Sequence, residues 1–421
     1  MKILIRQARI VDPNSPHNGL VKDLFIENGF IQSIDDRIEK EADKIVEADN
    51  LHLSPGWMDV FANFADPGYE FKETLETGAM AALHGGYTDV MLIPNTQPIV
   101  HNKSGIEYLV QKGRSLPVNV HPIGAVTKNT KGDELAEMYD MKASGAIAFS
   151  DGTQSIQSAG LLLKALQYIK TFKGVVIQLP DDQSINPQGL MNEGIISTQL
   201  GLPGKPAMSE EIVIDRDIKL TRYTDSRIHF TGVSSERSLE YIKKAKKAGL
   251  NVSCSVTPNH LFFCDEDLET YDSNLKLNPP LRTKKDREAL QKALRDSVID
   301  CIATHHLPQE RDSKLVEFEY AKYGTIGLET AFAVINTAMP GENPETWVRI
   351  LSLNPRKIFG LPDLLIAASQ PACLTAFDPQ KNWVVELKDI KSRSKNSPYL
   401  QKTLTGKVVA TINKNQLFIN Q

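Results

Sequence analysis

The feature that most narrows the fold of this chain is a series of strand-length apolar runs between Gly56 and Gly360, each followed by a helical stretch. After WMDV come GYTDVMLIPNT, VNVHPIGAV, GAIAFSDG, GVVIQLPDD, RIHFTGVSS, NVSCSVTPNH and VIDCIATHH. Runs without polar alternation are buried on both faces, which points to parallel strands covered by helical crossovers. SERSLEYIKKAKKAG (235–249) is one such crossover: it opens on Ser235, sets Leu239, Ile242 and Ala245 on one face, and closes at Gly249. Seven or eight units of this kind predict an α/β fold, a (β/α)8 TIM-like barrel over 54–360. An open dinucleotide-binding sheet is the poorer fit, because no GxGxxG follows the first strand.

The flanks read differently. Residues 1–53 hold short, alternating strands, KILIRQARIVD, DLFIENGFIQSID with a turn at Asn28-Gly29, and KIVEADNLHLSPG. Residues 361–421 return to that pattern in ACLTAFDP, WVVEL and GKVVATINKNQLFIN, so both termini are expected to build one small β-sandwich domain. The basic segment LKDIKSRSKNSPYLQKT (387–403) reads as an exposed loop. With 421 residues, 41% of them hydrophobic, the chain can bury a full core. A net charge of -4 gives no electrostatic reason to expect nucleic acid or an anionic membrane as partner. The opening MKILIRQARIVDP is broken by Arg6 and Arg9 and lacks a signal-peptide core, and no run approaches the roughly 20 apolar residues of a spanning helix. Cys254, Cys264, Cys301 and Cys373 show no CxxC spacing, so they read as free thiols in a reducing cytoplasm.

In barrels, chemistry sits at the C-terminal strand ends. Those ends carry Phe61 and Asn63, Asn95, Ser150 and Asp151, Gln178, Gly232, and His305 with His306. A hydrolytic metal site needs converging imidazole and carboxylate ligands. Of these residues only Asp151, His305 and His306 carry suitable side chains, and adjacent histidines on one strand end point to opposite sides. Asp151 in its Ser-Asp-Gly turn, and Asn95 in PNTQP, also have plain readings as turn residues that bond to backbone.

The ordered blocks PGWMDV, ETGAMAALHGGYTDVMLIPNTQP, AFSDG, NEGIISTQLGLPGKPAMSEE, NPPLRTKKDREAL, IATHHLP, YGTIGLETA and NPRKIFGL resemble dihydroorotase of the amidohydrolase superfamily, of the type found with bacterial multifunctional complexes. The resemblance implies a metallo-dependent hydrolase barrel with a terminal β-sandwich, one or two zinc ions, and interconversion of carbamoyl aspartate and dihydroorotate in pyrimidine synthesis. Measured against that family, the departures carry the functional argument. The two zinc histidines and the carboxylate-holding arginine after strand one fall on Phe61, Asn63 and Ala65. Two further metal histidines fall on Gln178 and Gly232, the catalytic aspartate on His305, and a substrate histidine on Gln309. Asp151 matches the family's bridging aspartate, Asn95 its substrate asparagine, and His306 a residue often found beside the catalytic aspartate.

The expectation is a pseudoenzyme with no cofactor, its mouth filled by Phe61 and Phe64. Its role would be that of a structural or regulatory partner of aspartate carbamoyltransferase, as implied by inactive homologues of the family, and it is expected to be a homo-oligomer. The alternative is a divergent enzyme, either a weak zinc-dependent dihydroorotase or other cyclic-amide hydrolase, or a metal-independent hydrolase using Asp151 or His305. A rebuilt metal site would draw on His305, His306 and Asp151, with His121 and His260 also near strand ends. Binding of a pathway metabolite without turnover would rest on Asn95 alone.

Overall fold

The computed structural model describes residues 1–420. From the N-terminus run β1 (Lys2–Ile10), β2 (Val21–Glu27), β3 (Phe30–Asp35), β4 (Lys44–Val46) and β5 (His52–Pro55). The apolar runs then become β6 (Trp57–Ala62), β7 (Tyr87–Leu92), β8 (Asn119–Gly124), β9 (Ala148–Phe149) and β10 (Val176–Gln178). A ribbon of β11 (Met191–Asn192) and β12 (Gly204–Lys205) precedes β13 (Ile228–Phe230), β14 (Val252–Val256) and β15 (Cys301–Ile302). The chain ends in β16 (Leu374–Val384), β17 (Thr403–Asn413) and β18 (Gln416–Ile419).

Strands β6, β7, β8, β9, β10, β13, β14 and β15 pair in that order, all parallel. The ring closes just beyond the last strand, where Ala62 bridges His306 and Asn63 N donates to His306 O at 2.9 Å. Asp59 seals the same seam from below by accepting Thr304 N at 2.7 Å and Thr304 Oγ1 at 2.9 Å. The crossovers are α1 (Leu75–His84), α2 (Lys103–Gly113), α3 (Met138–Ala143), α4 (Ala159–Lys170), α5 (Ile195–Leu200) with α6 (Met208–Thr224), α7 (Glu236–Lys247), and α8 (Pro258–Phe262) with α9 (Lys284–Arg295). After β15 come α10 (Ala331–Ala338), α11 (Pro344–Val348) and α12 (Asn354–Phe359). Helix α7 shows how local sequence sets these elements. Ser235 Oγ accepts Ser238 N at its start, Leu239, Ile242 and Ala245 are its buried face, and Gly249 takes φ +76° just past its end.

The two flanks are hydrogen-bonded into one connected eight-stranded sheet, in which β16 pairs with β5 and β5 with β1. Ile3, Ile5, Leu24, Leu53, Leu374 and Ile412 share its core. Inside the barrel, Met58, Val60, Phe61, Met91, Ile123 and Ile177 pack together, with Phe359 of α12 in the same cluster. A further apolar cluster joins Met191, Phe263, Leu275 and Phe318 from the inter-strand loops to Val385, Ile390 and Tyr399.

That last cluster corrects the reading of 387–403 as an exposed loop. Ser392, Ser394 and Asn396 are buried while Lys391, Arg393 and Lys395 between them are exposed, so the segment is a strap with one face down. Among the described residues no helix is long and apolar enough to cross a membrane, and all four cysteines are free and buried.

The closing helix is tied to the barrel by charge. Asp89 of β7 accepts the Arg356 guanidinium, His121 Nε2 at 2.8 Å, Asn119 Nδ2 at 3.2 Å and Thr88 Oγ1 at 2.8 Å. Burial pushes its carboxyl up, but the bonds from His121 and the charge of Arg356 outweigh this and hold it below its ordinary value. Asp89→Ala would strand a buried guanidinium, so urea unfolding should show a loss of about 3–5 kcal/mol. A loss under about 1 kcal/mol, typical of exposed pairs, would show that the tie is dispensable.

Candidate functional site

The strand-end residues meet at the C-terminal mouth of the barrel, and most of their polar atoms are already spent on one another or on backbone. Phe61 is 1% exposed, and its ring lies on His305, with centroids 4.5 Å apart and planes 32° from parallel. The other ring edge of His305 is held at Nε2, 2.8 Å from Thr231 Oγ1. Phe61 therefore lies inside the barrel, packed against His305. Phe64 does not: it is buried in the strand–helix layer, crowds Gly78 of α1, and meets the edge of the His306 ring at 6.3 Å.

Gly232 has φ +69°, a conformation disfavoured for side-chain-bearing residues, and a Cβ built there would stand 2.8 Å from His305 Cε1. The absent side chain at 232 and the imidazole at 305 are thus two parts of one packing solution.

Of four residues expected at the mouth, His306 and Gln178 are directed elsewhere, and Asp151 and Asn95 are engaged within the strand-end loops. His306 turns away, with Nε2 3.4 Å from Glu73 Oε2 and Nδ1 accepting Gly327 N at 3.3 Å. Gln178 donates Nε2 to Asp217 Oδ2 on α6 at 3.1 Å, so its amide faces the helix layer; Ile177 is the residue packed inside the barrel. Asp151 accepts Thr127 N at 2.8 Å and Thr127 Oγ1 at 2.5 Å, while burial raises its carboxyl above the ordinary value against these bonds. Asn95 donates to Asp151 O at 3.1 Å and accepts Thr153 N at 3.1 Å, which makes it the clamp of the Ser-Asp-Gly turn. Asn63, Ala65, Asn95 and Gln309 still share a cavity of about 230 Å3 with Tyr69 and Lys72. There Asn63 Oδ1 accepts Ala65 N at 2.7 Å, Ala65 has φ +57°, and Lys72 Nζ donates to Gln309 Oε1 at 3.0 Å.

A zinc ion does not fit these residues. Phe61, Ala65 and Gly232 offer no ligand atom, and Asp151, His305 and His306 are each bonded to a different partner. Among the described residues no three His, Cys, Asp or Glu side chains are grouped to hold a metal ion. The site of His305, His306 and Asp151 considered from the sequence is not assembled.

Two features escaped sequence reading. Glu73 is fully buried and takes Arg393 N at 2.9 Å, together with bonds from Ser392 Oγ and Thr77 Oγ1, so it anchors the strap to the start of α1. The signal for the strap was present in the strict alternation of Lys391, Arg393 and Lys395 with small polar residues. The second feature is a hydrogen-bonded chain through the barrel wall: Ser253 to His229 Nδ1 at 2.9 Å, His229 Nε2 to Ser255 at 3.0 Å, Ser255 to Thr231 at 3.1 Å, and Thr231 to His305. With Ser255 donating to Thr231, the threonine proton goes to His305 Nε2, and His229 carries its proton on Nε2.

Burial lowers the imidazoles of His229 and His305 to about 3 and that of His260 to about 4. Between pH ~6.5 and ~3 these imidazoles bind protons in the unfolded chain and refuse them in the folded one, so their contribution to stability is lost as pH falls through that window. Asp59 and Asp217, raised by burial to about 6, act in the opposite sense, so the histidine share is read by difference. From pH about 7 to about 5, His229→Asn should lose less stability in urea unfolding than the parent, by up to about 1.4 kcal/mol per pH unit. An unchanged pH slope would contradict neutral buried rings. Separately, Gly232→Ala should cost about 1–3 kcal/mol, part of it relieved when His305→Ala is added; strict additivity of the two changes would refute their contact.

The dihydro-orotase-like family model matches residues 51–238. A dihydroorotase of Syntrophus aciditrophicus (strain SB) is 37% identical over 417 residues, 98% of this chain and 98% of its own. One of Acetivibrio thermocellus is 38% identical over 423 residues, covering 100% of this chain and 99% of its own. Among solved structures, the L-hydantoinase (dihydropyrimidinase) from Arthrobacter aurescens superposes with a TM-score of 0.85 at 21% identity, over 99% of this chain and 96% of its own. A D-hydantoinase gives 0.82 at 18%, over 100% and 95%. At such identities the hydantoinases speak to the fold alone.

Proposed function

This chain belongs to the dihydroorotase-like family of amidohydrolase barrels, and from that premise we propose that it serves pyrimidine synthesis without the family's zinc hydrolysis, as a structural or regulatory partner of aspartate carbamoyltransferase. The observation that carries the first half of this reading is the Phe61–His305–Thr231 contact. It places an aromatic ring and an already bonded, neutral imidazole where the resemblance calls for ligands and an acid/base group. A hydrolytic zinc works by lowering the pKa of bound water from about 15.7 to about 7, which needs a ligand set these residues do not offer. At Ala65 no guanidinium is present to grip a substrate carboxylate in two-pronged fashion.

The partner half of the reading rests on what the fold has kept. The mouth loops are bound together by the strap and its apolar cluster, giving a fixed surface where an enzyme of this class has a working site. The same reading makes the protein a cytoplasmic homo-oligomer with neither nucleic acid nor membrane as partner.

A second reading, a divergent dihydroorotase or cyclic-amide hydrolase, is favoured by the full-length relatives, which are named dihydroorotase. Protein expressed with added zinc distinguishes the two. The main reading predicts substoichiometric zinc and no turnover of dihydroorotate. Stoichiometric zinc with turnover abolished by Asp151→Asn would establish the second reading. Co-purification with aspartate carbamoyltransferase, and loss of transferase assembly when this chain is deleted, are expected; an unchanged transferase would rule out the partnership.

A further inference from the structure

At the end of the barrel opposite the mouth, a cavity of about 470 Å3 opens between the N-terminal ends of β10, β13 and β14 and the helical stretch that closes the floor. That volume is in the range of small-molecule sites, about 300–1,000 Å3. Three cationic side chains line it. Arg349 and Lys357 stand eight residues apart on a helical stretch that runs from α11 through a π-turn at Arg349–Leu353 into α12, which puts them on one face. Arg227 comes from the start of β13, its guanidinium steadied by Lys173 O at 3.4 Å and by Ile358 O.

The charge balance of this cavity is one-sided. Its single lining carboxylate, Asp300, is consumed by Lys246 Nζ and by Cys254 N at 2.8 Å. Arg349 and Lys357 have no ion-pair or hydrogen-bond partner for their charged groups among the described residues. The hydroxyl of Ser253, on the same wall, already donates to His229 Nδ1 at 2.9 Å, so the cationic side chains are left to carry the charge recognition. The chain as a whole is acidic, at -4, so this concentration of positive charge in a concave site is local and not a general basic surface.

We propose that the barrel floor binds a small metabolite through a phosphate group, held by Arg349, Lys357 and Arg227. Guanidinium matches phosphate geometry in two-pronged fashion and ammonium adds a compact point charge, so the trio suits a dianion better than a singly charged ligand. The site lies apart from the mouth, and it stands or falls independently of whether the mouth is catalytic.

The test is calorimetric titration of the intact protein with inorganic phosphate and with pyrophosphate at constant ionic strength, alongside thermal unfolding in the same buffers. Saturable binding and a Tm that rises with phosphate are expected, because a ligand that binds only the folded state stabilises it. The double variant R349Q/K357Q should keep the phosphate-free Tm, since both side chains reach solvent, and should weaken binding by about tenfold or more. Lys292→Gln on α9, outside this cavity, should leave binding unchanged. No saturable binding, equal affinity in the double variant, or equally tight binding of succinate would each overturn the proposal, the last by showing a general dianion site.

Discussion

The ring of His305 lies between Phe61 and the backbone of Gly232, and the packing of the barrel mouth follows from that contact. A side chain at 232 would collide with the imidazole, and a polar residue at 61 would lose the stacked face. Interiors packed near crystal density do not accept such changes one at a time. The hydrogen bond to Thr231 extends the contact through Ser255 and His229 to Ser253, so the imidazole is the upper end of a polar chain with partners at each step. Buried polar groups are tolerable on that condition. This accounts for neutral histidines inside a barrel wall without any charge to balance them.

Around this plug the mouth is held by side chains bonded to backbone and to one another. Glu73 gathers the strap and faces His306, Asn396 bonds Leu307 O and Gly324 O, and Tyr399 reaches Asn259 on α8. Lys276 and Lys314 are buried with their ammonium groups on carbonyl oxygens of the 318–324 loop and not on carboxylates. Loops that must open for substrate are drawn from the least stable parts of a fold. Here they share an apolar core with the strap, an arrangement suited to presenting a surface.

The barrel was legible because unalternating apolar runs and well-capped amphipathic helices leave few other solutions, and the terminal strands because they alternate. The expectation that Phe61 and Phe64 fill the mouth came from the family resemblance and not from strand direction; of the two, Phe61 packs inside the barrel. What could not be read was direction. Gln178 and His306 sit at strand ends, yet face the helix layer, because side chains alternate along a strand and a bulge or a left-handed residue such as His305, with φ +47°, resets which one faces in. Phe64 was misplaced for the same reason. The strap was mistaken for a loop because its lysines and arginine dominate the composition while its serines make the contacts. Glu73, Thr231, Ser253 and Ser255 are ordinary residues whose roles exist only once the fold brings them together.

The central claim is that the mouth is occupied by the chain's own side chains and has no ligand set to offer. Crystals grown in excess zinc and measured at the zinc absorption edge test it most directly. The account predicts the Phe61 ring stacked on His305 and no anomalous peak within bonding distance, about 2.0–2.2 Å, of His305 or Asp151. A peak there, with Phe61 swung out and His305 freed from Thr231, would contradict it.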